Sequence, residues 1–166
     1  MTIGSLSGVT VFAADAGTDE KVEMADASDV DGTTITFWHS MGGVNGEAID
    51  TLVKKFNDEN EYGITVDAQY QGEYDDSLNK LKSAQIGNMG ADLVQVYEIG
   101  TRFMIDSGWI VPMQQMIDAD SYDVSEIEPN LAAYYTIDNE LYSMPFNSST
   151  PIMYYNTVSY THLTLP

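Results

Sequence analysis

TTITFWHSMGGVNGEAIDTLVKKF, residues 33–56, passes from one hydrophobic period to another within a few positions. Thr33 to Trp38 (TTITFW) is β-branched and aromatic, the composition of a buried strand. A Gly-rich turn, Met41 to Gly46, follows it. Ile49, Leu52, Val53 and Phe56 then stand at i, i+3, i+4 and i+7 and mark one apolar helix face. Asn45 is placed to cap that helix. Glu47 and Asp50 fall in its first turn, where the helix dipole favours anions.

The same alternation continues downstream. Ile64 to Tyr70 (ITVDAQY) has period two and predicts a second strand. A second helix is expected from near Tyr74, with Asp75 and Asp76 at its start and Leu78, Leu81 and Ile86 as its inner stripe. Asp92 to Tyr97 (DLVQVY) predicts a third strand, and Thr101 to Ser107 a short third helix. Three strand–helix units in succession predict an α/β fold, a mostly parallel sheet with helical crossovers. In such open sheets ligands occupy the crevice beyond the carboxyl ends of the strands, which points to the segments after Trp38, Tyr70 and Tyr97. Farther on, Tyr135 to Tyr142 predicts a hairpin turning at Asp138-Asn139, and Met153 to Tyr155 one more strand.

Composition narrows the function. The 166 residues are 43% hydrophobic, enough for a packed core. The formal charge of −20, from 6 basic and 26 acidic residues, repels nucleic acid and anionic membrane. The absence of cysteine excludes disulfides, thiolate metal sites and a catalytic thiol. No apolar run approaches the ~20 residues of a membrane span. There is no Gly-x-Ser-x-Gly elbow, no His-x-x-x-His, no phosphate-cradling Gly-x-x-x-x-Gly-Lys loop and no dinucleotide fingerprint. The expectation is a protein without catalytic residues, metal or cofactor.

The two ends differ from the middle. Met1 to Ala14 is weakly apolar, and Val11-Phe12-Ala13 has the small-residue pattern of a signal-peptidase site. The stretch is expected to be a partial secretion-signal remnant. Asp15 to Gly32, without apolar periodicity, is expected to be an acidic linker. Val158-Ser159-Tyr160-Thr161-His162-Leu163 resembles the translation of a transposon-end adapter used in sequencing libraries. Residues 158–166 are therefore expected to carry no biological meaning, which removes His162 from any site. A secreted protein, periplasmic or at the outer cell surface, is expected.

The strand-end rule nominates His39 and Ser40 after the first strand, Tyr74 after the second and Glu98 after the third. A fourth group is the loop Phe146-Asn147-Ser148-Ser149-Thr150-Pro151, which can offer several donors to one cluster of ligand oxygens without adding charge. Each has a plain structural alternative. A glutamate after a strand can be a solvated loop residue, a tyrosine at a helix start can be packing, Ser-Ser-Thr can be a turn, and a histidine beside tryptophan can belong to the core.

The strings Phe37-Trp38-His39-Ser40-Met41, Gln95-Val96-Tyr97-Glu98 and Pro145-Phe146-Asn147-Ser148-Ser149-Thr150-Pro151, with Tyr154-Tyr155-Asn156, resemble the glycerol-3-phosphate-binding proteins of ATP-binding-cassette importers. These are a branch of the large extracellular solute-binding family that also contains maltose binders. The similarity runs from about Thr33 to Thr157; Glu61, where the family often has proline, departs from it in a surface turn. The resemblance implies the N-terminal lobe of a two-lobed periplasmic-binding-protein fold, truncated before the second lobe. It also implies a monomeric, non-enzymatic carrier of a small molecule to the transmembrane subunits of a permease. Residue by residue, it implies ligand contacts from Tyr74, Glu98 and Ser149, with His39, Ser148 and Thr150 as secondary candidates. A carboxylate beside a phosphate would be repulsive, so Glu98 is expected to accept from the glycerol hydroxyls while Ser149 and Thr150 donate to phosphate. The compensating arginine would come from the second lobe, and Arg102 is expected to be structural. A glycerophosphodiester is compatible with the same reading. A maltodextrin binder of the same fold is the alternative. A secreted carbohydrate-active enzyme using Glu98, or an adhesion module, is a more distant one.

Overall fold

A computed structural model describes residues 22, 25–87 and 89–158. The expected signal remnant, the earlier part of the linker and residues 159–166 lie outside the described residues.

Three parallel strands, β1 (Thr34–His39), β2 (Thr65–Tyr70) and β3 (Leu93–Val94), form one sheet in the order β2-β1-β3. Helix α1 (Ala27–Val30) precedes β1, α2 (Gly43–Glu59) joins β1 to β2, and α3 (Tyr74–Ile86) joins β2 to β3. Then come α4 (Glu98–Ser107), α5 (Met113–Asp120), α6 (Pro129–Tyr134) and a hairpin of β4 (Thr136–Ile137) and β5 (Glu140–Leu141). The expected α/β architecture with a parallel sheet is the observed one. Among the described residues no helix is long and apolar enough to cross a membrane, and no cluster of acidic and histidine side chains could hold a metal ion.

Strand β1 is central because both its faces and both its edges are used. It pairs Thr34 with Thr65 through His39 with Tyr70 on one side, and Phe37 with Leu93 and Trp38 with Val94 on the other. The Asp92 carboxylate accepts the Thr36 N–H at 2.8 Å, extending the β3 side of the ladder by a side chain. The open edge of β2 is closed differently. Thr65 and Gln71 donate their N–H groups to Thr33 and His39, so the alternate backbone groups of β2 face outward. Asn57 of α2 takes both groups of Val66, accepting its N–H at 2.8 Å and donating to its carbonyl at 3.0 Å. Asn60 completes the join by bonding the Phe56 and Ile64 carbonyls and the Ile64 N–H. An edge that could template another strand is thereby partly occupied.

Several local expectations need correction. The last residues of the expected linker are not free: Ala27–Val30 make one helical turn, and the Gly32 N–H donates to the Gly63 carbonyl at 3.1 Å. Asn45 does not cap α2, which starts at Gly43 after Gly42. Gly46 fits against the Met41 carbonyl, where a Cβ would lie 2.8 Å from the oxygen, so the chain coils one turn earlier than capping chemistry suggests. Of the α2 stripe, Ile49 is buried, whereas Leu52 and Phe56 are exposed; the described residues cover only one end of that face. Ile86 is exposed as well. It follows Leu81 by five residues, which at 3.6 residues per turn places it about 140° around the helix.

Strand β3 is two residues long rather than six, and α4 begins at Glu98 rather than Thr101. The Gln95 N–H still reaches the Trp38 carbonyl, and beyond it Tyr97 takes the extended N-cap conformation from which α4 begins. Close packing then seats α4: a Cβ on Gly100 would stand 2.6 Å from Val96 Cγ1 and 3.5 Å from Leu78. The hairpin forms as expected, with Asp138 and Asn139 both at positive φ (53° and 68°), the requirement of a type I′ turn. Residues 151–156 form no strand, and Ile152, Met153 and Tyr154 are exposed. Phe37, Ile49, Leu81, Met104, Ile117 and Leu141 form the buried apolar set.

Candidate functional site

The strand order reverses about β1, and in open parallel sheets ligands bind beyond the carboxyl ends of the strands at such a switch point. Gln95, the first residue beyond β3, is buried at that point and ties three segments together. Its N–H donates to the Trp38 carbonyl at 2.9 Å. Its Oε1 accepts the Ser40 N–H at 2.9 Å, and its Nε2 donates to Asn147 Oδ1 at 2.8 Å. Asn147 in turn donates from Nδ2 to the Tyr74 hydroxyl at 3.4 Å. The loop is pinned a second time by Phe146, whose ring meets Phe37 edge-on with centroids 5.9 Å apart.

Tyr74 opens α3, and its ring stacks on Tyr97 with centroids 5.4 Å apart and planes 17° from parallel. The Tyr97 hydroxyl is bonded to the Asp75 carboxylate, which raises the phenol's pKa above its ordinary value; the charge of Glu98 acts in the same direction. Glu98 is the first residue of α4 and is exposed. Its charge also adds to the elevation of Tyr135, whose main cause is burial. Ser148, Ser149 and Thr150 follow Asn147 directly and are exposed, and among the described residues no hydrogen bond engages their side chains.

His39 is placed differently from the other candidates. It is 3% exposed, packs between Phe37 and Tyr70, and accepts the Met41 N–H on Nδ1 at 3.3 Å. Desolvation lowers its pKa below the usual histidine value, with Asp50 opposing the shift. Ser40 is also buried, and its Oγ has no partner among the described residues.

Tyr74 and the Asn147–Thr150 loop are thus brought to one place, and Glu98 is joined to them through its neighbour Tyr97. No hydrogen bond links Tyr74, Glu98 and Ser149 directly among the described residues. Gln95 and Asn147 were not singled out by strand-end reasoning. A lone glutamine in the apolar run DLVQVY was the signal that could have found the first. A concavity of about 700 Å³ lies elsewhere, as a shallow groove beside α3 lined by Gln71, Asp76, Lys80, Ser83 and Met89. It contains none of Tyr74, Glu98 and Ser149, whereas the strand-end crevice gathers the polar groups. Among the described residues, Arg102 pairs with Asp106 at 2.9 Å and 3.0 Å, and Lys82 lies 4.5 Å over the Phe103 ring.

The model of the bacterial extracellular solute-binding proteins matches residues 51–159. The chain is 42% identical over 130 residues to the sn-glycerol-3-phosphate-binding periplasmic protein UgpB of Salmonella typhimurium, covering 75% of this chain and 29% of that protein. It belongs to the bacterial extracellular solute-binding proteins. Against the protein of the same description from Escherichia coli, the identity is 40% over 130 residues, with the same two coverages of 75% and 29%. The chain therefore spans less than a third of the length of these curated relatives. Among solved solute-binding proteins, the cyclic alpha-maltosyl-1,6-maltose binding protein of Arthrobacter globiformis aligns with a TM-score of 0.56 at 21% identity, over 66% of this chain and 27% of that one. The GacH receptor of Streptomyces glaucescens aligns with a TM-score of 0.55 at 20% identity, over the same shares of 66% and 27%. These likenesses establish the fold.

Proposed function

We propose that residues 33–157 form one lobe of a binding protein that captures sn-glycerol-3-phosphate, or a glycerophosphodiester, between two lobes. The loaded protein then presents its ligand unchanged to the transmembrane subunits of an ATP-binding-cassette permease. The observation that carries this reading is the convergence of Tyr74 and the Asn147–Thr150 loop at the carboxyl ends of the strands, through Gln95. The curated relatives named for this ligand support its identity. In the proposed site Tyr74, Ser149, Ser148 and Thr150 donate to phosphate oxygens, Glu98 accepts from glycerol hydroxyls, and His39 supports the floor. The protein acts as a monomer, in the periplasm or outside the cell, and performs no catalysis.

With Arg102 held by Asp106, the positive charge for the phosphate comes from the second lobe. At physiological salt the screening length is ~8 Å, so the acidic surface at a distance matters less than the local donors. A maltodextrin ligand is the second reading. The stacked Tyr74–Tyr97 pair favours it, since such a surface could carry a sugar ring, and so do the names of the solved relatives. Calorimetric titration of the complete protein with glycerol-3-phosphate, glycerophosphocholine and maltose separates the two. Binding of the phosphate ligands without turnover is expected. Maltose binding alone would replace the first reading with the second, and turnover of a glycoside would overturn both.

A further inference from the structure

The hydrogen bonds from β1 to Tyr74 form a chain whose direction is fixed at one end. A backbone N–H can only donate, so the Ser40 N–H requires an oxygen from Gln95, and Oε1 sits there at 2.9 Å. That choice turns Gln95 Nε2 toward Asn147, which must then offer its oxygen, at 2.8 Å. The Asn147 amide nitrogen is left facing the Tyr74 hydroxyl at 3.4 Å. Each amide has two unlike ends, so no member can reverse without breaking the bond before it. The Tyr74 oxygen is thereby made an acceptor within the protein, and its proton remains for a partner outside. Tyr97, stacked against it, is polarised in the opposite sense, because its hydroxyl proton goes to the Asp75 carboxylate.

We infer that Gln95 and Asn147 are positioning residues that set Tyr74 as a hydrogen-bond donor, and so select a ligand that presents an acceptor oxygen, such as phosphate, at that point. This rests on the proposed function for the ligand's identity but not for the polarity itself.

Asn147→Asp tests it. The carboxylate accepts from both sides, which keeps the Gln95 bond but draws the Tyr74 proton inward. In the complete protein labelled with [ζ-¹³C]tyrosine, assigned through Tyr74→Phe, the Tyr74 resonance is expected to move on Asn147→Asp even without ligand. Titrated with glycerol-3-phosphate, Asn147→Asp should weaken binding at least roughly tenfold relative to its parent. The same substitution in a Tyr74→Phe background should cost about twofold or less, because there is no hydroxyl left to reverse. An equal loss in both backgrounds would mean that the added charge merely repels phosphate, and an unmoved Tyr74 resonance would mean that the polarity is not transmitted; either overturns the inference. If the parent protein does not bind glycerol-3-phosphate, the ligand reading fails, while the resonance still decides the polarity.

Discussion

The outer edge of β2 and the crevice at the carboxyl ends of β1 and β3 are both managed by side-chain amides, but the two networks end differently. Asn57 spends both ends of its amide on the backbone of Val66, and Asn60 closes onto Phe56 and Ile64. Every bond begins and finishes inside the protein. In the crevice, Gln95 and Asn147 pass hydrogen bonds along until they reach a tyrosine hydroxyl with a proton to spare. On the proposed function, identical chemistry serves stability where the chain of bonds is closed and recognition where it is left open. Substitutions at the two places should therefore separate into effects on unfolding and effects on ligand binding.

The largest effect is expected at the open end. Glu98→Ala in the complete protein should raise the Kd for glycerol-3-phosphate by roughly tenfold to a hundredfold, the worth of about 1.5–3 kcal/mol for hydrogen bonds to a charged group, with an unchanged urea midpoint. Ser149→Ala should act in the same direction and less strongly. Calorimetry showing unaltered Kd values for both would remove these residues from the site. The mirror image is Asn57→Ala, expected to lower stability by about 1–2 kcal/mol in urea unfolding while leaving ligand affinity alone, because two partly buried backbone groups lose their partner. A parallel loss of affinity would erase the distinction between the closed and open networks.

Acid should reach the floor of the crevice through His39. Its folded pKa lies below the ordinary 6.5, so the unfolded chain binds the proton more readily. Its contribution to stability is complete above about pH 6.5 and is lost as the pH falls through the lowered value. Unfolding midpoints followed from neutral to mildly acidic pH should decline, and His39→Gln should flatten that part of the profile. A profile identical with and without the imidazole would show that it is not the titrating group. The smallest effect belongs to the surface pair Lys54–Asp58, 2.6 Å apart on exposed side chains: Lys54→Ala should change stability by less than about 0.5 kcal/mol, a difference that disappears at high salt.

What could be read from sequence follows the same division. The strand at TTITFW, the helix start at Tyr74 and the Asp138-Asn139 turn rest on local rules of period, charge and positive φ, and each has its place in the fold. Tyr74, Glu98 and the 146–151 loop are nominated because strand ends and polar loops are local features too, whereas Ser149 within that loop is singled out by the resemblance. Gln95 escaped, and Asn147 was met only as one member of a polar loop, because their role depends on a bond between residues far apart in the chain. Leu52 and Phe56 misled for a related reason, since periodicity announces a face but not whether anything lies over it. The shortened β3 shows the limit of a composition rule, as DLVQVY has the composition of a six-residue strand, yet Tyr97 already serves as the N-cap of α4.

The separation of bonded partners along the chain also orders events during synthesis. Asn57 precedes Val66 by nine residues, so the side chain that covers the edge of β2 has already emerged when that edge first forms. Gln95 must wait a further 52 residues for Asn147. A growing polypeptide therefore guards its sheet against stray pairing long before the Gln95–Asn147 link can close.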